Sequence, residues 1–159
     1  MRNMLKYVGY DIVFQEIPDE TTLAINLSLC PNHCKGCHSP YLCEDRGNEL
    51  TAKVLDDMVS GFTGEVTCIC FMGGDNDPQK VAALARHLHE HFPGQFLTAW
   101  YSGKPDFPED FDRAAFDFVK LGPYLPEKGP LNKPTTNQRL YRIMPDGTNA
   151  DITDRFWRK

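Results

Sequence analysis

The sequence predicts an α/β fold: an incomplete, open (β/α) barrel of about five or six mostly parallel strands. Three observations lead there. Short β-branched and aromatic runs alternate with amphipathic helical stretches, which is the signature of βαβ units. Turn signals follow several of the runs, as at Gly73-Gly74, Ser102-Gly103 and Gly122-Pro123. The runs are too few for a closed eight-stranded barrel.

Each element has its own justification. Residues 8–14 and 22–29 read as strands, and the second alternates Leu23, Ile25, Leu27 and Leu29 at period two. The first helix is expected over 51–61, with Thr51 as N-cap and Leu50, Val54, Leu55, Met58 and Phe62 marking its apolar face. Residues 65–72 form the next strand. A second helix starts at Asp77 as cap with Pro78 in the first turn. It carries Val81, Leu84, Ala85, Leu88 and Phe92 inward and stops at Pro93-Gly94. Strand 95–101, a short helical stretch around 109–115 and strand 116–121 follow. Residues 123–138, rich in Pro, Lys, Asn and Thr, read as a surface loop, and 139–144 as a final strand. No repeat or linker divides the chain, so residues 1–159 are read as one domain.

Bulk properties narrow the function. The chain has 159 residues, 41% of them hydrophobic and 25% charged, and a net charge of -5. That balance argues against a nucleic-acid partner, which needs a basic surface. No apolar run reaches the roughly 18 residues of a membrane span, and no signal peptide is evident, so a cytoplasmic protein is expected. Six cysteines in a reducing compartment point to metal or redox chemistry rather than to disulfides.

The most specific feature is Cys30-x3-Cys34-x2-Cys37, placed directly after the second strand. Three thiolates in one loop suit a [4Fe-4S] cluster with one iron left open. A structural zinc site built with His33, His38 or Cys43 is the alternative, as are three unconnected thiols. Gly73 and Gly74, followed by Asp75, end the next strand. Two glycines there either let the backbone approach a ligand, with carbonyls able to accept from an ammonium group, or simply make a turn. Cys68 and Cys70 share a strand face and read as small buried apolar residues, with further ligands or redox thiols as the alternative. Cys43 is left unassigned. His87 and His91 lie one helical turn apart, a spacing able to bind a metal, but off the apolar face and so read as solvated. Lys120, near the end of its strand, is either a surface lysine or a counter-charge for a ligand carboxylate.

Together these residues resemble the radical S-adenosylmethionine superfamily. Lys35-Gly36-Cys37-His38, Trp100-Tyr101-Ser102-Gly103 and Thr135-Thr136-Asn137-Gln138-Arg139 narrow the resemblance to the anaerobic ribonucleoside-triphosphate reductase activating proteins, over about residues 5 to 144. Gly36 replaces the aromatic residue common before the third cysteine, as is typical of that group. Asp75 stands where the superfamily has glutamate, and Phe14-Gln15-Glu16-Ile17-Pro18 where some members have a Gly-Pro-Gly turn. The resemblance implies a barrel of radical S-adenosylmethionine type, with Cys30, Cys34 and Cys37 holding three irons. It implies S-adenosylmethionine on the fourth iron, with the backbone of Gly73 and Gly74 receiving its amino group and Asp75 also among the cofactor-binding residues. Gly36, Cys37 and His38 would lie on its adenosine side, and Ser102 and Lys120 at its methionyl end. It further implies one-electron reductive cleavage of the cofactor and hydrogen abstraction from a glycine. That glycine would belong to the large anaerobic ribonucleotide reductase subunit, and a donor such as a flavodoxin would supply the electron. Rival readings are an activase of another glycyl-radical enzyme such as pyruvate formate-lyase, a small-molecule enzyme of the same superfamily such as a deazapurine synthase, and a zinc-stabilised interaction module.

Overall fold

The computed structural model describes residues 5–14, 16–27, 48–75, 77–108, 111–123, 125–129 and 131–157. In chain order these contain strands β1 (Lys6–Val13), β2 (Thr22–Leu27) and β3 (Asn48–Glu49), helix α1 (Ala52–Ser60), strand β4 (Cys68–Met72) and helix α2 (Pro78–His91). Strands β5 (Leu97–Tyr101), β6 (Phe118–Leu121), β7 (Arg139–Ile143) and β8 (Asn149–Asp151) complete the set. The stretch expected to be helical near 109–115 holds a 3-10 turn at Arg113–Ala115, with residues 109 and 110 outside the described set.

All eight strands join one sheet in the order β3-β1-β2-β4-β5-β6-β7-β8. This corrects the expected fold class. The protein is not an incomplete (β/α) barrel of five or six mostly parallel strands, nor a barrel of radical S-adenosylmethionine type. It is an eight-stranded mixed sheet with two α-helices among the described residues. Only the pairings of β2 with β4, β4 with β5 and β5 with β6 are parallel. The pairings of β1 with β2 and β3, of β6 with β7, and of β7 with β8 are antiparallel. Connection length supplies the physical reason. A parallel return needs a crossover of a dozen or so residues, usually helical. The link from β1 to β2 has room for neither, and the five residues between β7 and β8 make a tight turn in which the Met144 amide bonds to the Thr148 carbonyl.

The helices form where their caps and faces require. The Thr51 hydroxyl accepts the Val54 amide at 3.2 Å, and the Asp77 carboxylate accepts the Lys80 amide at 3.2 Å. Each cap satisfies one amide that the first helical turn leaves open, worth about 1 kcal/mol. Both helices cover the same face of the sheet. There Ile25, Ile69, Phe71, Trp100 and Val119 pack against Leu55 and Val59 of α1 and Val81, Ala85 and Leu88 of α2. Each such side chain contributes about 1.5–3 kcal/mol when fully buried.

The opposite face carries a second, smaller core of Cys68, Cys70, Ala99, Phe118 and Leu140. Ile17, from the β1–β2 link, is completely buried against it. The link is tied down at both sides of Ile17. The Tyr101 hydroxyl donates to the Glu16 carbonyl, and Arg155 pairs with Asp19. Among the described residues no helix is long and apolar enough to cross a membrane.

Candidate functional site

The four parallel strands all end on one edge of the sheet, and their tips carry the expected site residues that fall within the described set. Backbone bonds tie the tips together. The Gly73 amide donates to the Tyr101 carbonyl at 3.0 Å, the Ser102 amide to the Lys120 carbonyl at 2.8 Å, and the Gly122 amide to the Lys104 carbonyl at 2.7 Å. Cys30, Cys34, Gly36, Cys37, His38 and Cys43 lie outside the described residues. Residue 28 onward nevertheless follows directly from Leu27, the last residue of β2.

Gly73 and Gly74 both have positive φ, +104° and +88°, which side chains disfavour. Gly74 is also constrained by packing. A Cβ there would lie 2.5 Å from Val81 Cγ2 and 2.8 Å from Leu27 Cδ1. A Cβ on Gly73 would lie 3.4 Å from the Leu27 carbonyl oxygen. The turn therefore runs against Leu27, the last residue of β2. The Gly73 carbonyl accepts the Trp100 indole N–H at 2.6 Å, and the Gly74 carbonyl accepts the Asp77 amide at 3.0 Å. Among the described residues each carbonyl has one such donor, which leaves a second lone pair able to accept.

Asp75 is buried at the same tip, and both its oxygens are engaged. The Ser102 hydroxyl donates to Oδ1 at 2.5 Å and the Gly103 amide to Oδ2 at 2.9 Å. Ser102 Oγ in turn accepts the Lys104 amide at 3.1 Å. Asp75 and Ser102 thus form one strut between the ends of β4 and β5.

Lys120 is not a surface lysine, being only 8% exposed. Its ammonium donates to the carbonyls of Ser102 at 3.1 Å and Gly122 at 3.0 Å, and sits 5.5 Å from the centre of the Tyr101 ring. The Thr136-Asn137-Gln138 turn closes on the same tip. Gln138 Nε2 reaches the Gly122 carbonyl at 3.4 Å, and Asn137 Nδ2 donates to the Pro123 carbonyl at 3.0 Å.

Cys68 and Cys70 are fully buried in the smaller core. Burial pushes both thiols well above their ordinary range, with Glu20 adding to the effect at Cys68, and the Cys68 sulfur adding to it at Cys70. They are protonated, apolar packing groups, inert as thiolate ligands. The histidines of α2 are braces. His87 Nε2 meets Asp56 Oδ1 of α1 at 2.8 Å and its ring stacks on His91, while His89 Nε2 meets Thr98 Oγ1 at 2.9 Å. Among the described residues no group of three His, Cys, Asp or Glu side chains is arranged to hold a metal.

Reading the chain alone missed Trp100 and Tyr101 as parts of the site. A tryptophan at the end of a strand, two residues before a predicted ligand serine, was the available signal. No family model, curated protein or solved structure matches the chain.

Proposed function

We propose that the protein is an activating enzyme that uses a [4Fe-4S] cluster to cleave S-adenosylmethionine reductively and to place a glycyl radical on the large anaerobic ribonucleotide reductase subunit. One observation carries the reading. The Gly73-Gly74 turn lies against Leu27, the last residue of β2. Cys30 follows Leu27 by only three positions in the sequence, which supports a reading in which the donor set shares this edge with the glycine turn. The reading rests on these strand tips and on the cysteine spacing, with no appeal to a barrel.

The donors fit the group. Three thiolates would hold three irons, and the second lone pairs of Gly73 and Gly74 can accept from an ammonium group. Gly36 and His38 flank Cys37 and would face the adenosine side. Asp75 and Ser102 keep the β4 and β5 tips in register, and Lys120 places a buried positive charge at the β6 tip. When bound, the cluster and S-adenosylmethionine supply one-electron cleavage of a carbon–sulfur bond and abstraction of a hydrogen atom. None of the tip residues is needed as a general base for such a transfer. The electron would come from a donor such as a flavodoxin, in the cytoplasm. The Thr136-Asn137-Gln138 turn, part of the resemblance to the reductase activases, closes on the same edge, which supports a reductase partner.

The test is anaerobic reconstitution with iron and sulfide, then addition of S-adenosylmethionine, a reductant and the large reductase subunit. A changed cluster spectrum, 5′-deoxyadenosine and a glycyl-radical signal on the partner are expected. Stoichiometric zinc with no 5′-deoxyadenosine would sink the proposal in favour of an interaction module. Turnover of a small substrate without any partner, or radical transfer only to pyruvate formate-lyase, would move the target and keep the chemistry.

A further inference from the structure

The peptide between Gly73 and Gly74 joins two residues that lack a Cβ, so it is the unit of the site with the greatest freedom to rotate. Both flanking φ values are positive, and the turn must still present one face to a ligand. One side chain acts directly on that peptide. Trp100 Nε1 donates to the Gly73 carbonyl at 2.6 Å, and the indole is itself 1% exposed. Phe111 and Phe116 stack beside its ring with centroids 5.8 and 5.9 Å away. Because a peptide is planar and trans, fixing the carbonyl also fixes the Gly74 N–H on the opposite side.

We propose that Trp100 is a positioning residue for the ligand bound at the glycine turn: its indole N–H locks the 73–74 peptide in one orientation before the ligand arrives. A flip would exchange acceptor for donor on the ligand's side. The lock removes that alternative from the free protein, and affinity gains by the share of molecules that no longer need to reorganise. It also keeps water from one of the two lone pairs of Gly73. The inference rests on the reading of this turn as the S-adenosylmethionine site, and extends it to a residue that touches no ligand.

Trp100→Phe keeps a stacked ring and deletes the N–H. In reconstituted protein, the S-adenosylmethionine concentration that half-changes the cluster spectrum is expected to rise about three- to tenfold, the worth of one hydrogen bond. Iron content should stay at the wild-type level. Phe111→Leu loosens the same stack without touching the N–H, and its titration midpoint should stay within twofold of wild type. An unchanged midpoint in Trp100→Phe, or equal losses in the two variants, would reduce Trp100 to a core residue and overturn the proposal. A wild-type cluster blind to S-adenosylmethionine would instead overturn the underlying reading, and the proposal with it. A second measurement needs no variant. The chain has two tryptophans, and the Trp100 indole proton should exchange slowly with solvent and more slowly still once S-adenosylmethionine is added. Exchange that ignores the cofactor would count against the lock.

Discussion

The Ser102 hydroxyl donates to Asp75 Oδ1 at 2.5 Å, joining the ends of two neighbouring parallel strands through buried side chains. A hydrogen bond to a charged group contributes about 1.5–3 kcal/mol. Asp75→Ala also strips the Gly103 amide of its acceptor. We expect it to lower unfolding free energy by about 3 kcal/mol, and Ser102→Ala by about 2 kcal/mol. Asp75→Asn should fall between wild type and alanine, since the amide oxygen still accepts. Urea denaturation of the four proteins measures this. Equal stability of Asp75→Ala and wild type would show that the strut carries no load.

Glycine at 74 is demanded twice, by φ of +88° and by the 2.5 Å approach of Val81. Gly74→Ala should cost about 2–4 kcal/mol, from backbone strain of about 1 kcal/mol plus overpacking of about 1–3 kcal/mol. Gly64 provides the contrast. It has φ of +80° but nothing within 4 Å of its Cβ position. Gly64→Ala should cost about 1 kcal/mol. Thermal melts that rank the two variants the other way would refute the packing account.

Cys68 and Cys70 set an alkaline limit on stability. Their thiols are pushed up by burial in the folded state, while in the unfolded chain a thiol titrates near its ordinary value of about 8.5. Below that pH both states keep the proton and the stabilising difference is fully present. Above it the unfolded chain releases protons that the folded one retains, so stability falls as pH rises. The slope is about 1.4 kcal/mol per pH unit for each thiol. Denaturant melts at pH 7.5 and 9.5 should show this fall, and Cys68→Ala/Cys70→Ala should flatten it. In the folded protein at pH 8 neither thiol should react with iodoacetamide.

The cysteines should divide cleanly in iron binding. Cys30→Ala, Cys34→Ala and Cys37→Ala should each abolish the reconstituted cluster. Cys43→Ala, Cys68→Ala and Cys70→Ala should retain most of its iron. Iron and sulfide assays decide the matter, and full iron retention by any of the first three would break the assignment of ligands.

Much of this architecture could be read from the chain, and the failures share a cause. Thr51, Asp77 and Pro78 announce the two helices because capping and proline geometry are local. The alternation of Leu23, Ile25 and Leu27 announces β2 in the same way. Strand direction is not local. Among the described residues between Val13 and Thr22 there is no helix, and a link of eight residues should have signalled antiparallel pairing of β1 with β2. β3, at two residues, and β8, Asn149–Asp151, lack apolar periodicity, since both are held by backbone pairing at the sheet margin. At the site, Gly73-Gly74 and Lys120 stood out through their place at strand ends. The burial of Lys120 depends on Ser102, Gly122 and Tyr101, contributed by other loops and strands or by the turn beyond its own, and single-strand patterning does not register it.

The brevity of β3 and β8 has a consequence for association. Among the described residues the sheet ends in β3 on one side and β8 on the other, and long apolar end strands recruit strands from other molecules into fibrils. Here one margin ends in Asn48–Glu49 and the other in Asn149–Asp151, short, polar and carrying carboxylates. Such margins resist templated stacking. Polar, carboxylate-bearing end strands of this kind keep the described sheet from acting as a seed for aggregation.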